Sequence, residues 1–397
     1  MVDLGLRLWR SGYRALPEER RRHGGADTFA TTLLWRRAVV VRGHDGARLF
    51  YDPEVIERSS AIPSPLANLL FGSGAVHGLD GSEHADRKAV FLDILTQERV
   101  AGLAAAVGRD LEARAASWRD EVTVFDELVE VYGAAVQRWA GIQTTPDELN
   151  RTSRRLAEIV DGFGGAGRAY PRAWAARLRC NRWARGLVRD ARSGRSPAPP
   201  GSILQEFATG RAAGLPVDVA GVELLNILRP TVAVAWLGTF LARELATRPH
   251  ESARLRAEPD APVELGHEVR RTCPFVPALA GRARRSAEFD GVAIAEGDFV
   301  VLDVPATNVD PAGWNRPEEF RSERFRGVMP DPFGFVPQGG GDPATGHRCP
   351  GEPVTVAILA ETARVLAGVD YSLVGDAGHD PARIPTLPRN GLRIRVG

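Results

Sequence analysis

Phe335-Val336-Pro337-Gln338-Gly339-Gly340-Gly341-Asp342-Pro343-Ala344-Thr345-Gly346-His347-Arg348-Cys349-Pro350-Gly351-Glu352 is the stretch from which the rest of the 397-residue chain can be read. Four glycines lie between Gln338 and Gly346, and Cys349 follows at the end of the run. Beyond Gly351 the chain becomes an apolar, Ala-rich run, Val354 to Ala367, with helical spacing. The glycines allow backbone angles closed to other residues and let the main chain approach a flat partner. The start of a helix offers unpaired N–H groups and the positive end of a dipole. Both favour a thiolate over a thiol. A thiolate on a close-approach loop suits a soft or borderline metal, with haem iron the first candidate. Taken alone, the same cysteine also reads as an ordinary buried thiol.

Working outward, Glu264 to Arg271 reads as a helix with Glu268 and Arg271 three apart on one face, a pairing that many helices show by chance. Upstream, Leu215-Pro216 opens the longest helical run, about Val217 to Thr247, stopped before Pro249. It is apolar on nearly all sides from Val232 to Phe240 and should cross the interior. Arg229-Pro230 lies in its middle, where proline removes a backbone bond and should bend the helix. An arginine there reads as snorkelling or ion-paired. Thr231 follows, but no acid precedes it. Thr145-Pro146-Asp147-Glu148 is a capping box for a helix that ends at Gly162. Phe163-Gly164-Gly165 then reads as a glycine cap with a core Phe. Asp80-Gly81-Ser82 caps a helix carrying His84, Arg87 and Lys88. His84 and Lys88 share a face, which by itself reads as a solvated polar surface. His77 stands in the Gly-rich loop after Leu69-Leu70-Phe71-Gly72.

Nearer the N-terminus, Val2 to Arg22 reads as one helix. Arg37 to Arg42 and Arg48 to Tyr51 read as short strands about a Gly43-His44-Asp45-Gly46 turn. Asp52-Pro53 then starts a short helix before Arg58. Ala283 to Leu302 is a small β region, and Ser193 to Ser202 a surface loop.

Phe335, the Gly-rich loop and Cys349-Pro350-Gly351 resemble the haem-ligand loop of the cytochrome P-450 superfamily. The usual loop is shorter. The longer form here, together with Arg229-Pro230, resembles the fatty-acid peroxygenase branch, which uses hydrogen peroxide in place of oxygen and a reductase. The resemblance covers nearly the whole chain. It implies one mainly α domain over residues 1–397 with a P-450-like helical fold and a small β region. Haem b would sit between the long central helix and the Cys349 loop, with Cys349 as the axial thiolate on iron. His84 with Lys88, and Arg58, would hold the propionates, Arg87 being an alternative. Glu268, Arg271 and the later Arg324 would form a buried structural network.

The same resemblance gives Arg229 and Pro230 the place where oxygen-activating relatives keep an acid-alcohol pair. Arg229 would bind a fatty-acid carboxylate in a two-point fork. That carboxylate would then serve as the acid–base catalyst, so that oxidation falls at the α or β carbon. Leu70, Phe71, Phe163, Ala233 and Phe275 are tunnel candidates by position, or else core. His77 would stand at the distal face, where a histidine near its unperturbed pKa can exchange a proton at neutral pH and favour decarboxylation to an alkene. It also reads as a loop residue without chemical role. The implied partners are a long-chain fatty acid and hydrogen peroxide, with no redox partner. The nearest rival is an oxygen- and reductase-dependent monooxygenase. A non-catalytic haem sensor or carrier leaves Arg229 unexplained.

Bulk properties set the outer limits. Length alone suggests two or three domains, and the chain can bury a large core. Net charge is +1, so neither nucleic-acid nor membrane affinity follows from charge balance. Three cysteines, Cys180, Cys273 and Cys349, fit a reducing compartment better than a disulfide framework. Val2 to Arg22 lacks the apolar core of a signal peptide. No run approaches the roughly 18 apolar residues of a membrane span. The expectation is a soluble cytoplasmic protein without a membrane anchor.

Overall fold

The apolar run around Arg229 becomes a single unbroken helix, Val217–Thr247, and the molecule is assembled around it. The structure, a computed structural model, describes residues 2–59, 61–164 and 167–397. Gly165, the last residue of the Phe163 junction, lies outside the described residues. The central helix packs against Val124–Trp139, Ala169–Arg192 and Glu352–Ala367. Trp236, Phe240 and Leu241 on it are fully buried. By length and composition this helix could cross a membrane, contrary to the expectation from the sequence, but almost all of it is buried among its neighbours. It is a core helix. It continues through Pro230, and Thr231 spends its hydroxyl on the Ile227 carbonyl at 2.9 Å.

The other long helices follow their signals. Thr145 accepts from the Glu148 N–H at 3.3 Å and starts Pro146–Asp161. Gly81–Ile94 carries His84, Arg87 and Lys88. Glu352–Ala367 follows the Cys349 loop.

The N-terminal part differs from its reading. Leu4–Ser11 and Ala15–Arg22 are separate helices, because Gly12 takes a φ of 55° and a Cβ there would collide with the Pro381–Ala382 backbone. Arg48 to Tyr51 is no strand: Gly43–Phe50 is a helix, started where the Gly43 N–H donates to Thr307 Oγ1 at 3.0 Å. Gly46, Ala47 and Phe50 form its buried face, and so short an apolar run does not distinguish helix from strand. Asp52-Pro53 starts a turn instead of a helix, since Asp52 Oδ1 accepts from the Glu54 N–H at 2.9 Å. The β region is larger than expected. Phe29–Leu33 and Arg36–Val41 form a hairpin, joined in parallel by Phe299–Asp303, then by Ala278–Ala283 and Ile56–Glu57. This five-stranded sheet carries its own apolar core of Val39, Val41, Phe50, Val300 and Leu302.

The Glu268 network forms as expected. Arg271 grips the carboxylate with Nε and Nη2, both at 2.8 Å. The Arg321 N–H donates to it at 2.7 Å, and Arg324 Nε lies 3.2 Å away. Both guanidiniums also tie down the incoming loop: Arg271 holds the Pro317 carbonyl and Arg324 the Asn315 carbonyl, each at 2.8 Å. Glu268 is fully buried. Glu268→Ala should therefore lower folding stability by about 3–5 kcal/mol, because two desolvated cations lose their counter-ion. The denaturant midpoint at unchanged m-value measures this, and a loss within about 0.5 kcal/mol of zero would show the network to be ornamental.

Candidate active site

The Cys349 loop is braced from below by a fully buried guanidinium. Arg270 Nε donates to Gln338 Oε1 at 3.1 Å, and its Nη2 pairs with Glu352. Its plane lies over the Phe335 ring at 5.1 Å. Gln338 passes the contact to Thr355 Oγ1 at 3.0 Å, and Arg348 Nε meets Glu352 from the other side at 2.6 Å. Burial pushes Glu352 up, but the two guanidiniums outweigh it and hold its carboxyl low. The loop turns tightly here: Gly339 has a φ of 97°, and a Cβ on it would press on Tyr51 and Arg348. The Cys349 N–H donates to the Gln338 carbonyl at 3.0 Å.

The cysteine itself differs in one respect from its sequence reading. Burial pushes the Cys349 thiol up, with the nearby Glu352 carboxylate in the same direction. The Gly351 N–H, Lys88 and Arg270 oppose this without reversing it. Helix start and glycines are thus insufficient for a thiolate, whereas metal coordination would deprotonate the sulfur outright. Among the described residues no three His, Cys, Asp or Glu side chains gather as a metal site. Cys349 can therefore hold only a metal that brings its other ligands, as haem iron does. The other two thiols, Cys180 and Cys273, are buried and pushed up to about 12 by that burial.

Across from Cys349, the structure brings Arg229, Phe71 and His77 together. Phe71 stacks on His77 at 4.0 Å between centroids and lies 5.8 Å from the Arg229 guanidinium. Arg229 is 5% exposed, and its Nε has no hydrogen-bond partner. No carboxylate pairs with it among the described residues. Burial, and then the charge of Arg177, pushes its pKa down to about 9, with a weak opposing pull from Cys349. His77 presents accessible surface, yet burial followed by the charges of Arg229 and Arg58 pushes its pKa down to about 3. The expectation of a histidine near its unperturbed pKa is thereby corrected: burial and the two guanidiniums push His77 toward the neutral imidazole.

The basic residues divide. The Arg58 guanidinium stacks on Phe50 at 4.8 Å. His84 lies against His347, ring to ring at 4.1 Å, and burial pushes it down to about 4. Lys88 donates to the carbonyls of Gly346 and, at 2.8 Å, Arg348, so it clamps the cysteine loop. Arg87 is committed to Glu223 at 2.9 Å and to the Gly74 carbonyl, which removes it as an alternative propionate partner. Asp80 makes no side-chain cap on its helix. It accepts instead from the Ser59 N–H at 2.8 Å and from His347 at 3.2 Å, joining the Arg58 segment to the cysteine loop.

Three residues of this site went unread in the sequence. Glu223, fully buried, accepts from the Val76 N–H, from Arg87 and from Asn226, each at 2.9 Å. Arg177, also fully buried, donates to the Leu70 and Phe71 carbonyls at 3.4 and 3.2 Å. Arg270 is the third. An acid inside the apolar run, between Asp218 at the helix start and Glu244 near its end, was the available signal for Glu223. Of the tunnel candidates, Ala233 stands one turn beyond Arg229, and Phe275 lies 6.5 Å from Trp236, three residues further on. Leu70 and Phe71 sit on the Arg177 tethers. Phe163 is partly buried, and no contact joins it to Arg229.

Known proteins share this arrangement. The family described as Cytochrome P450 matches residues 266–358, which include the Glu268 pair and the cysteine loop. Cytochrome P450SP alpha, solved in complex with (R)-ibuprofen, superposes with a TM-score of 0.94 at 37% identity, covering 100% of this chain and 99% of that one. The chain belongs to the cytochrome P-450 family. A variant of cytochrome P-450 OleT in complex with arachidonic acid matches with a TM-score of 0.93 at 32% identity, over 100% and 97% of the two chains. Wild-type cytochrome P450EX alpha with myristic acid gives 0.93 at 33%, with the same coverage. Within the P-450 family the chain thus falls in the fatty-acid peroxygenase branch, and its haem iron is held by a thiolate.

Proposed function

We propose that this P-450 is a peroxygenase that uses hydrogen peroxide to oxidise long-chain fatty acids at the α or β carbon, with decarboxylation to a terminal alkene as a second outcome. The observation that carries this is Arg229: a buried guanidinium with no carboxylate partner among the described residues, near enough to Cys349 to feel its charge. A carboxylate is what such a group lacks, and arachidonic and myristic acids accompany two of the similar structures. The whole chain, residues 1–397, is one haem-thiolate domain in this reading. The protein would be cytoplasmic and would act without a redox partner.

Cys349 would hold haem b, with Arg58, His84 and Lys88 on the side of its propionates, and the haem would supply cleavage of the peroxide bond. The protein's residues do the rest. Even pushed down to about 9, Arg229 is charged at neutral pH and can fork both carboxylate oxygens. The bound carboxylate then provides the acid–base group that Thr231, bonded to its own helix, does not. Holding the acid end fixes which carbon faces the reacting oxygen. Phe71 and Ala233 border the start of the tail, and each buried CH2 adds roughly 0.8 kcal/mol. His77 keeps a neutral ring beside Phe71, able to hydrogen-bond but not to act as a cationic acid.

Purified protein given myristic acid and hydrogen peroxide, without reductase, should yield α- and β-hydroxy acids and some alkene by mass spectrometry. Products that appear only with oxygen, reductase and NADPH would favour the monooxygenase reading instead. His77→Ala removes this hydrogen-bonding ring from beside Phe71. A hydrogen bond contributes about 0.5–1.5 kcal/mol, so the alkene-to-hydroxy-acid ratio should fall roughly two- to tenfold while peroxide use persists. Because His77 is already neutral above pH 5, the wild-type ratio should stay flat from there to neutrality. A ratio that the variant leaves unchanged would make His77 a lining residue only.

A further inference from the structure

The hairpin Phe29–Leu33/Arg36–Val41 closes through Leu34 and Trp35, with φ of 53° and 62°. A two-residue turn with both centres left-handed is the place for Asn-Gly or Gly-Gly. Leucine and tryptophan are bulky residues for which that conformation is strained. Trp35 gains little inside the fold, being 79% exposed, and Leu34 is 41% exposed. The turn is nonetheless held firmly. The Trp35 N–H donates to Asp3 Oδ2 at 2.8 Å, while Asp3 Oδ1 accepts from Gly5 at 2.9 Å and caps the helix Leu4–Ser11. That helix end lies against Leu33 and Leu34 and shows Val2 and Trp9 to solvent. A strained, rigid and solvent-facing apolar tip points to a surface that it meets.

The charge around the tip says which kind of surface. Residues 2–37 hold eight arginines against four acids, although Arg20 and Arg37 pair with Asp303 and Asp298 from elsewhere in the chain. Arg10, Arg14 and Arg36 are exposed. The acids are largely engaged: Asp3 in the two caps, Glu19 with Arg7 and Arg22, Asp27 with Arg42. We propose that the Leu34–Trp35 tip docks on an anionic lipid bilayer, with the two apolar side chains seated at the interface and the arginines on the headgroups. Indole rings favour that interface, where one side is apolar and the other wet. Arginines beside an apolar wedge add attraction to anionic lipid. The docking is peripheral, and it stands independently of the oxidation proposed above.

The test is co-sedimentation of the full chain with vesicles of phosphatidylglycerol and phosphatidylcholine, against phosphatidylcholine alone, at low and high salt. The protein should bind the anionic vesicles and be released by salt. The double variant Leu34→Asn/Trp35→Gly installs the residues that the turn favours. It should melt at or above the wild-type temperature and yet lose vesicle binding by about tenfold or more. Arg10→Gln/Arg36→Gln should weaken binding to anionic vesicles and reduce its salt dependence. Undiminished binding by the double variant, or equal binding to neutral vesicles, would overturn the proposal. So would a lipid-free dimer abolished by the double variant, because the tip would then cover a second copy of the chain.

Discussion

Replacing Arg229 with alanine should remove fatty-acid oxidation almost completely. A charge-assisted contact to a carboxylate contributes about 1.5–3 kcal/mol, so binding should weaken roughly ten- to hundredfold. Turnover should fall further, because the acid–base group leaves with the misplaced substrate and such a group is worth about 10²–10⁴ in rate. The two losses separate experimentally. Substrate binding is read by equilibrium titration, and turnover by saturating the variant with myristic acid at fixed peroxide. In the wild type, a short carboxylic acid should occupy Arg229 and let peroxide oxidise styrene, which has no carboxylate of its own. The same addition should do little for Arg229→Ala. Undiminished fatty-acid turnover in the variant would end the mechanism. Arg229→Lys should recover only part of the activity, since an ammonium cannot make the two-point fork.

Cys349→Ala should abolish the red-shifted ferrous–CO band that a thiolate ligand gives, and not merely weaken it. Burial already disfavours the free thiolate at this position, so the sulfur depends on coordination for its charge. Cys180→Ala and Cys273→Ala are the controls. Both thiols are buried and held far above neutrality, so both variants should keep the band. Persistence of the band in Cys349→Ala would mean that another residue ligates the iron. Far-ultraviolet circular dichroism should stay near wild type, because Arg270, Gln338 and Glu352 brace the loop without the sulfur.

What was legible in the sequence was mostly what a short stretch decides by itself. Val217 to Thr247 could be bounded because Pro216 stands at its N-cap and Pro249 opens the next helix just past its end. The Glu268, Arg271 and Arg324 network was legible through the order of its motifs, and the carboxylate does meet both guanidiniums. The failures have a common physical source. Arg48 to Tyr51 offered too few residues for its period to separate helix from strand. The protonation of His77 depends on Arg229 and Arg58, which are distant in the chain, and no window around the loop contains them. Lys88 clamps carbonyls of a loop some 260 positions later, a contact that no window around its own helix contains. Glu223 looked like one polar interruption of an apolar helix. Only the packed structure shows it gripping the Val76 N–H beside His77.

That grip carries a consequence for selectivity. Glu223 and Arg229 stand six residues apart on one rod, Val217–Thr247, so the loop bearing His77 and the carboxylate site are fastened to the same rigid body. A fatty acid with a longer tail must find its extra room at the far end of the cavity. It has no lever on the spacing between the acid end and His77. Tail length should therefore govern how tightly a substrate is held, and leave the position of attack along the chain unchanged.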